Sequence, residues 1–579
     1  MDHLKKISVY LFIWLSVYPF ILSAQSQSPR GYFRSPVDYP ITLSGSFGEI
    51  RQNHFHSGID IRTGGSTGKP VYAAADGYVS RINVSPYGFG KTIYIQHPNG
   101  YTTVYAHLKS YTGAIAKWAR EQQYRQESFA MDVEVPAGLL KVSKGDVIAY
   151  SGNSGSSGGP HLHFEIRDGA TQEPMDPLAF GIPISDKTRP RIYYARIMPH
   201  GFNSMVNFSD KPLLLPVVES AGTFTLKQQD TINVSGRIVF GIEAFDFHDA
   251  STMKNGIRRF ELYVDDEQRF GMTIDRFAFA DTRYVNSILD YPLYIETKHR
   301  VVRFYIAPND KLKIFDDPSS SGEISFTDNL PHKIRYVVSD VHGNKSSLVY
   351  WVRSHPPAPV RQPRDPSVLA KGTWMPCSGP NTFSADGITL SLPANALYED
   401  LDFIYDRSDR LPGSYSAINV LHDKETPVHA FCDLAIQVTG LPVQLQSKAL
   451  VVRIDGPGKY TSAGGAFENG WMKCRIRDFG SYTVLADTTA PVVRAVNIVP
   501  GKNISKQGTI TMKISDDLSG IKSYRGTLNG RWILMDYDAK RDLLTYTFDD
   551  RLQPGKNAFR LVVTDNTGNR TEYNANLTR

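Results

Sequence analysis

Cysteine is nearly absent from this chain: the 579 residues contain three, Cys377, Cys432 and Cys474, all in one later region. At most one internal disulfide can form, with one thiol left over, so cysteines do not staple the fold. None lies near the N-terminus, which argues against a lipoprotein anchor. Beyond the first residues no stretch approaches the roughly 20 apolar residues that a membrane-spanning helix requires. No Lys/Arg run with interleaved aromatics occurs, so nucleic-acid binding has no support. The glycine-rich loop at 151–159 lacks the closing Lys-Ser/Thr of a phosphate loop, and no His-Glu-x-x-His helix is present. The formal charge of +6 is a small excess spread through the chain and says little about partners.

What is present is globular in character. Apolar residues at 41% and charged residues at 21% are ordinary usage, which excludes a disordered or fibrous protein. The length exceeds one compact core and suggests about three or four domains. Residues 1–24 carry Lys5 and Lys6, an apolar run to Leu22, then Ser23-Ala24-Gln25, the layout of a signal peptide. Export to the periplasm or cell envelope is expected. Leu22 is larger than the residue usual three positions before a cut after Ala24, so an uncleaved membrane anchor stays open.

A diverged repeat organises the later chain. Asp186-Lys-Thr-Arg-Pro190 followed by Pro199 is matched at the same spacing by Asp487-Thr-Thr-Ala-Pro491 followed by Pro500. Each copy has an Asp-rich turn ending in Gly256-Ile257 or Gly520-Ile521. Each closes on a similar strand and turn, VVSDVHGNKS at 337–346 and VVTDNTGNRT at 562–571. Short periodic strands between these marks predict two Ig-like β-sandwiches, 186–355 with an insertion and 487–579. Between them lie a proline-rich linker at 356–369 and a third β module at 370–486. Such modules suit scaffolding or a protein partner rather than chemistry.

Residues 30–185 hold the closely spaced histidines. Three segments matter: His56-Ser-Gly-Ile-Asp60, Tyr105-Ala-His107-Leu108 and His161-Leu-His163-Phe-Glu165. A catalytic zinc site takes three nitrogen or oxygen ligands and keeps a fourth position for water. On a strand, His161 and His163 share a face while Leu162 turns to the core, and His56 and Asp60 project together whether their segment is extended or turned. The site closes only if the segments near 50–65 and 160–166 are neighbours. Isolated His54 and His97 read as packed or hydrogen-bonded residues.

In order and spacing, GSFGEIRQNHFHSGIDI, GKPVYAAADGYVSRI, YTTVYAHL and KGDVIAYSGNSGSSGGPHLHFEIRD resemble the lysostaphin/LytM-type zinc metallopeptidases over about residues 40–170. The resemblance implies a mostly antiparallel β fold, giving the chain a mainly β class: a lysostaphin-type domain with a short helical insertion, then β-sandwich modules. It implies that His56, Asp60 and His163 hold Zn2+, that His107 and His161 are the catalytic histidines, and that peptidoglycan cross-bridges or stem peptides are the substrate. The bond stays open among a D-Ala–diaminopimelate cross-link, an L,D bond and a glycine bridge. Of another class is a catalytically inactive wall-binding protein that regulates another hydrolase, or an adhesin with the peptidase as accessory.

Without a His-Glu-x-x-His glutamate the base comes from elsewhere. His161 is read as general base, and His107 as its partner in stabilising the tetrahedral intermediate or protonating the leaving amine. The 151–159 loop borders the groove or is a plain turn, and Glu165 is a hydrogen-bond acceptor behind the ligands or faces solvent. Two features depart from the family pattern. An insertion at 114–138, helical over roughly Ala114 to Phe129, is expected to cover or reshape one end of the groove. Phe47 stands near the position where some members have a tyrosine.

Overall fold

The computed structural model describes residues 29–228, 231–249, 251–357 and 372–579. The expected signal segment, and all but the first two residues of the expected linker, lie outside them. Among the described residues no helix is long and apolar enough to cross a membrane. The chain is mainly β.

The N-terminal domain is built on an antiparallel sheet in which strand His161–Asp168 lies between Ile59–Arg62 and Tyr101–Ala106. Lys91–Gln96, Gly77–Val84 and Met131–Glu134 follow outward on one side, and Leu43–Gly45 closes the other. Both edges of the central strand are hydrogen-bonded, so its backbone is satisfied and its alternation decides what faces where. Leu162, Phe164 and Ile166 are fully buried in a core with Leu43, Ile59, Ile61, Ile93 and Tyr105. His161, His163, Glu165 and Arg167 share the other face.

The insertion forms helix α1 (Gly113–Gln126), which ends at Glu127 in a left-handed conformation. Ile115 and Ala119 face the domain core. It also meets the C-terminal module. Tyr124 meets Trp532 edge-to-face with centroids 5.2 Å apart, and Arg120 lies 3.3 Å from Asp549. Tyr524, Leu534 and Tyr537 of that module pack against the N-terminal core.

Residues 191–355 hydrogen-bond into one continuous ten-stranded sheet rather than two separate ones. Lys345–His355 alternates exposed and buried residues strictly, the period of a half-buried strand. It pairs in parallel with both Thr223–Leu226 and Ile232–Phe245, which bends the sheet around its own core. That core extends into the N-terminal domain: Phe47, Ile50 and Phe55 belong to it, and Phe277 lies 5.3 Å from the rings of both phenylalanines.

Residues 372–486 form a six-stranded and a five-stranded sheet around a further core, and 492–578 form two four-stranded sheets. Cys377, Cys432 and Cys474 are buried in the first of these cores as free thiols.

Candidate metal centre

The three histidine segments meet on the face of the central sheet opposite the core. In the antiparallel register His163 sits opposite Asp60 on one neighbour and Ala106 on the other, which brings His107 alongside. Gly58 makes the first pairing possible: a Cβ there would stand 2.4 Å from the Phe164 carbonyl oxygen, so only glycine lets the chain pass so close. Gly152 does the same beneath His107, whose carbonyl oxygen would lie 2.6 Å from an added Cβ. His107 itself has φ of 56°, a left-handed turn at the strand end that is uncommon for a residue with a side chain.

Three atoms form the centre of the cluster. Asp60 Oδ1 is 2.9 Å from His163 Nδ1 and 3.1 Å from His56 Nε2, and the two ring nitrogens are 3.0 Å apart. The outer ring nitrogens identify the tautomers. His56 Nδ1 is 2.7 Å from the Ser46 carbonyl and His163 Nε2 is 2.8 Å from Glu165 Oε1; each must donate its proton outward. With both rings neutral, two lone pairs and a carboxylate oxygen then converge with no proton among them. That donor set fits a divalent ion of the zinc class, which takes imidazole and carboxylate ligands about 2.0–2.2 Å away.

His107 and His161 stand beside this triangle with ring centroids 4.7 Å apart. Their Nδ1 atoms donate to the carbonyls of Ser154 (2.9 Å) and Gly159 (2.8 Å), both in the 151–159 loop. Both Nε2 atoms are thereby turned inward, that of His161 lying 3.3 Å from Asp60 Oδ1. The loop therefore sets the tautomer of both histidines as well as bordering the groove.

Burial and neighbouring charge divide the histidines. Burial, then the charges of His163 and His161, pushes His107 down to about 3, so it is neutral across the physiological range. Burial also lowers His56, against the pull of Asp60. Burial opposes protonation of His163 as well, but hydrogen bonds and charge from Asp60 and Glu165 outweigh it and raise the group to about 9. Asp60 is held well below the usual carboxylate range: burial opposes this, and His56, His161 and His163 prevail.

Behind the ligands lies a layer that single-sequence reading only partly resolves. Glu165 is fully buried and accepts from Ser57 Oγ, His163 Nε2 and Arg167 Nε, which settles it as an acceptor behind His163 rather than a solvent-facing group. Arg167 carried a signal, being the next residue on the same strand face. Arg51 carried none; its Nη2 lies 2.8 Å from Asp60 Oδ2 and orients that carboxylate. Neither isolated histidine enters the cluster. His97 bonds to the Asp76 carbonyl and Thr103, and His54 is exposed.

The cluster opens into a groove of about 480 Å³ lined by Ser44, Arg51, Arg62, Gly65, the 156–160 loop and His107 with His161. No residue of 114–138 lines it. Of the two roles expected of the insertion, covering the groove is not what the structure shows: the insertion is turned to the C-terminal module, which itself reaches the rim. There Lys540 Nζ donates to the carbonyls of Asn153 (2.6 Å) and Ser157 (2.8 Å). Phe47 is buried against Phe277 and plays a packing part.

The sequence model of Peptidase family M23 matches residues 54–123 and 131–177, and that of the Zu5-like domain matches 372–487. The DD-carboxypeptidase/endopeptidase Mpg of Neisseria meningitidis serogroup B is 31% identical over 162 residues, 28% of this chain and 28% of that protein. The peptidoglycan DD-endopeptidase ShyA of Vibrio cholerae is 33% identical over 143 residues, 24% of this chain and 27% of that protein. The match therefore spans under a third of each relative. Among solved structures, a zinc containing peptidase from Vibrio cholerae is 27% identical, with 27% of this chain and 41% of that one covered and a TM-score of 0.19. The chain carries a Peptidase family M23 domain, homologous to those of the LytM/lysostaphin-type peptidoglycan endopeptidases, and a Zu5-like domain after it.

Proposed function

We propose that this chain is an exported zinc endopeptidase that hydrolyses peptide cross-links or stem peptides of peptidoglycan. The observation that carries the reading is the convergence of His56 Nε2, His163 Nδ1 and Asp60 Oδ1 within 3.1 Å, the other nitrogen of each ring being bonded to an acceptor behind it. When bound there, zinc polarises a scissile carbonyl and makes water acidic enough to attack near neutral pH.

The chain's own residues do the rest. His161, its Nδ1 proton fixed on Gly159, presents Nε2 to the groove and takes the proton of the attacking water. His107, neutral and locked by Ser154, stands 4.7 Å away, ring to ring, as the partner that stabilises the tetrahedral intermediate or passes a proton to the leaving amine. The open-sided groove accepts an extended peptide, and the narrow glycine loop lets its backbone approach. The names of the relatives favour a D,D bond in the cross-link. All five groups are in place, which supports catalysis over a passive wall-binding role.

Mass spectrometry of muropeptides released from purified sacculi, with and without a chelator, tests this reading. The full chain is expected to release cross-link fragments only without chelator. His161→Ala should keep its metal yet lose about 10²–10⁴-fold in rate. Chelator-resistant release, or an undiminished His161→Ala variant, would contradict the assignment.

Lys540 acts as a positioning residue. Lys540→Ala removes the clamp on the loop that holds both catalytic histidines, and should lower kcat by about 5-fold, the equivalent of ~1 kcal/mol, with KM and metal content unchanged. Steady-state kinetics on a soluble cross-linked peptide, beside metal analysis, checks the split.

A further inference from the structure

A second cluster of ligand-type side chains lies outside the groove, where the chain leaves the M23 domain. Asp186 is in the connecting segment, Asp246 and His248 follow strand Ile232–Phe245, and Asp340 and His342 follow strand Pro331–Ser339. Ligand atoms of Asp186, Asp246 and His248 lie within 4.8 Å of one another, and so do those of Asp186, Asp340 and His342. Both groups share Asp186.

The carboxylates at its centre are buried, and two of their oxygens lack partners. The side chain of Asp186 is 0% exposed and that of Asp246 is 4% exposed. Asp186 Oδ2 and Asp246 Oδ1 have no hydrogen-bond partner, and neither has Oδ1 of the adjoining Asn255. Buried carboxylate oxygens without partners are costly unless a cation compensates them. The nearest nitrogens stand off: His342 Nδ1 is 3.3 Å from Asp186 Oδ2, and His248 Nε2 is 3.8 Å from that atom and 3.7 Å from Asp246 Oδ2. The two longer separations exceed hydrogen-bond length. All three are near the ~3.3 Å expected between donors that surround one ion at about 2.0–2.1 Å.

The internal repeat supplies a contrast. Asp186, Asp246 and Asp340 correspond to Asp487, Asp516 and Asp565 in the last module, and those three carboxylates also lie within 4.8 Å of one another. Much is shared: Asp186 Oδ1 and Asp487 Oδ1 accept from the N–H groups of Thr188 and Thr489, and Asp340 and Asp565 from those of Asn344 and Asn569. The second oxygen differs, since Asp487 Oδ2 accepts from the Ser519 N–H whereas Asp186 Oδ2 has no hydrogen bond. The places of His248 and His342 are taken by Leu518 and Thr567. The first copy alone combines imidazoles with partnerless carboxylate oxygens. Carboxylates alone suit calcium or magnesium, whereas the mixed set suits zinc or a neighbouring first-row ion.

We propose that Asp186, Asp246 and His248 bind a second divalent ion of the zinc class through Asp186 Oδ2, with His342 beside that oxygen on the exposed side, which ties the M23 domain to the module that follows it. His342 is 30% exposed and gives the ion a way in. Between Asp340 and His342, Val341 packs against the M23 core, so an ion there joins three segments at the junction of the two domains. Its role is structural, since the groove is lined by other residues.

Metal analysis of the full chain, dialysed after loading with zinc alone, tests the proposal. The unaltered chain is expected to hold about two equivalents, Asp60→Ala about one, and Asp60→Ala combined with His248→Ala none. The exposed variant His342→Gln serves beside His248→Ala in case the buried change impairs folding, and should weaken zinc retention in the Asp60→Ala background. Zinc should also raise the Tm of Asp60→Ala. A folded Asp60→Ala chain that holds no zinc and shows no shift in Tm overturns the second site and leaves the groove site untouched. An unaltered chain that holds only one equivalent, kept in Asp60→Ala and lost in His248→Ala, upholds the second site and counts against the first.

Discussion

Asp60→Ala is expected to leave a folded chain with an empty groove site and peptidoglycan cleavage lowered by more than about 100-fold, beyond the 10–100-fold typical of losing an outer partner. Asp60 Oδ1 is the common neighbour of three imidazoles, at 2.9, 3.1 and 3.3 Å. Without it two neutral nitrogens remain, and the Arg51 guanidinium, 2.8 Å from Asp60 Oδ2 before the change, adds a positive charge that repels the ion. Arg51 is 31% exposed and can be hydrated, so the fold is spared a buried unpaired charge. Circular dichroism, metal content and muropeptide release on the same preparation separate loss of fold from loss of ion. Full cleavage by a variant lacking the groove ion would end the zinc assignment.

Zinc affinity at the groove should rise about tenfold per pH unit up to pH about 9, because one proton leaves as the ion arrives. Asp60 and Glu165 raise His163 to about 9 despite its burial, so in the metal-free protein at neutral pH its ring bridges both carboxylates as an imidazolium. The ion must displace the Nδ1 proton. The sign for stability is the reverse. His163 is raised above its unfolded value of 6.5, so its contribution to the metal-free fold is complete below that pH and is lost as pH rises through about 9. Glu165 runs oppositely. Burial pushes it up, but Arg167 and His163 hold it down to about 2, so its contribution is present above 4.5 and fades as pH falls toward 2.

Glu165→Gln keeps an acceptor for His163 while removing the charge. Affinity should fall about 10–100-fold, and the pH dependence between about 7 and 8 should flatten because the His163 proton is held less tightly. Competition titrations against a chromophoric chelator at several pH values measure both effects. A flat profile in the unaltered chain would mean that no proton has to be displaced.

The site was legible in sequence to the extent that strand alternation and short spacing govern it. His161, His163 and Glu165 on one face follow from the period of two, and the structure brings His56, Asp60 and His107 to them. What could not be read was whatever depends on register and on distant chain. Arg51 reaches Asp60 only because two short strands fold back on each other, and Lys540 reaches the glycine loop from 383 residues beyond Ser157. Module 191–355 was legible as periodic strands, but its parallel closure through Lys345–His355 is a long-range pairing that local pattern does not encode. The partner of 114–138 was hidden for the same reason: composition announced a helix but not the surface it would meet.

Phe47 and Phe55 bracket the approach to the first histidine, yet their rings are seated in the hydrophobic interior of the next module. The candidate metal centre is thus not a self-contained cassette. A cut anywhere between the two units would strip an apolar flank from the very strand pair that carries His56 and Asp60. Rearranging this chain by exchanging whole modules would have to carry the aromatic seat along with the histidine cluster, which joins the inheritance of the M23 domain to that of its neighbour.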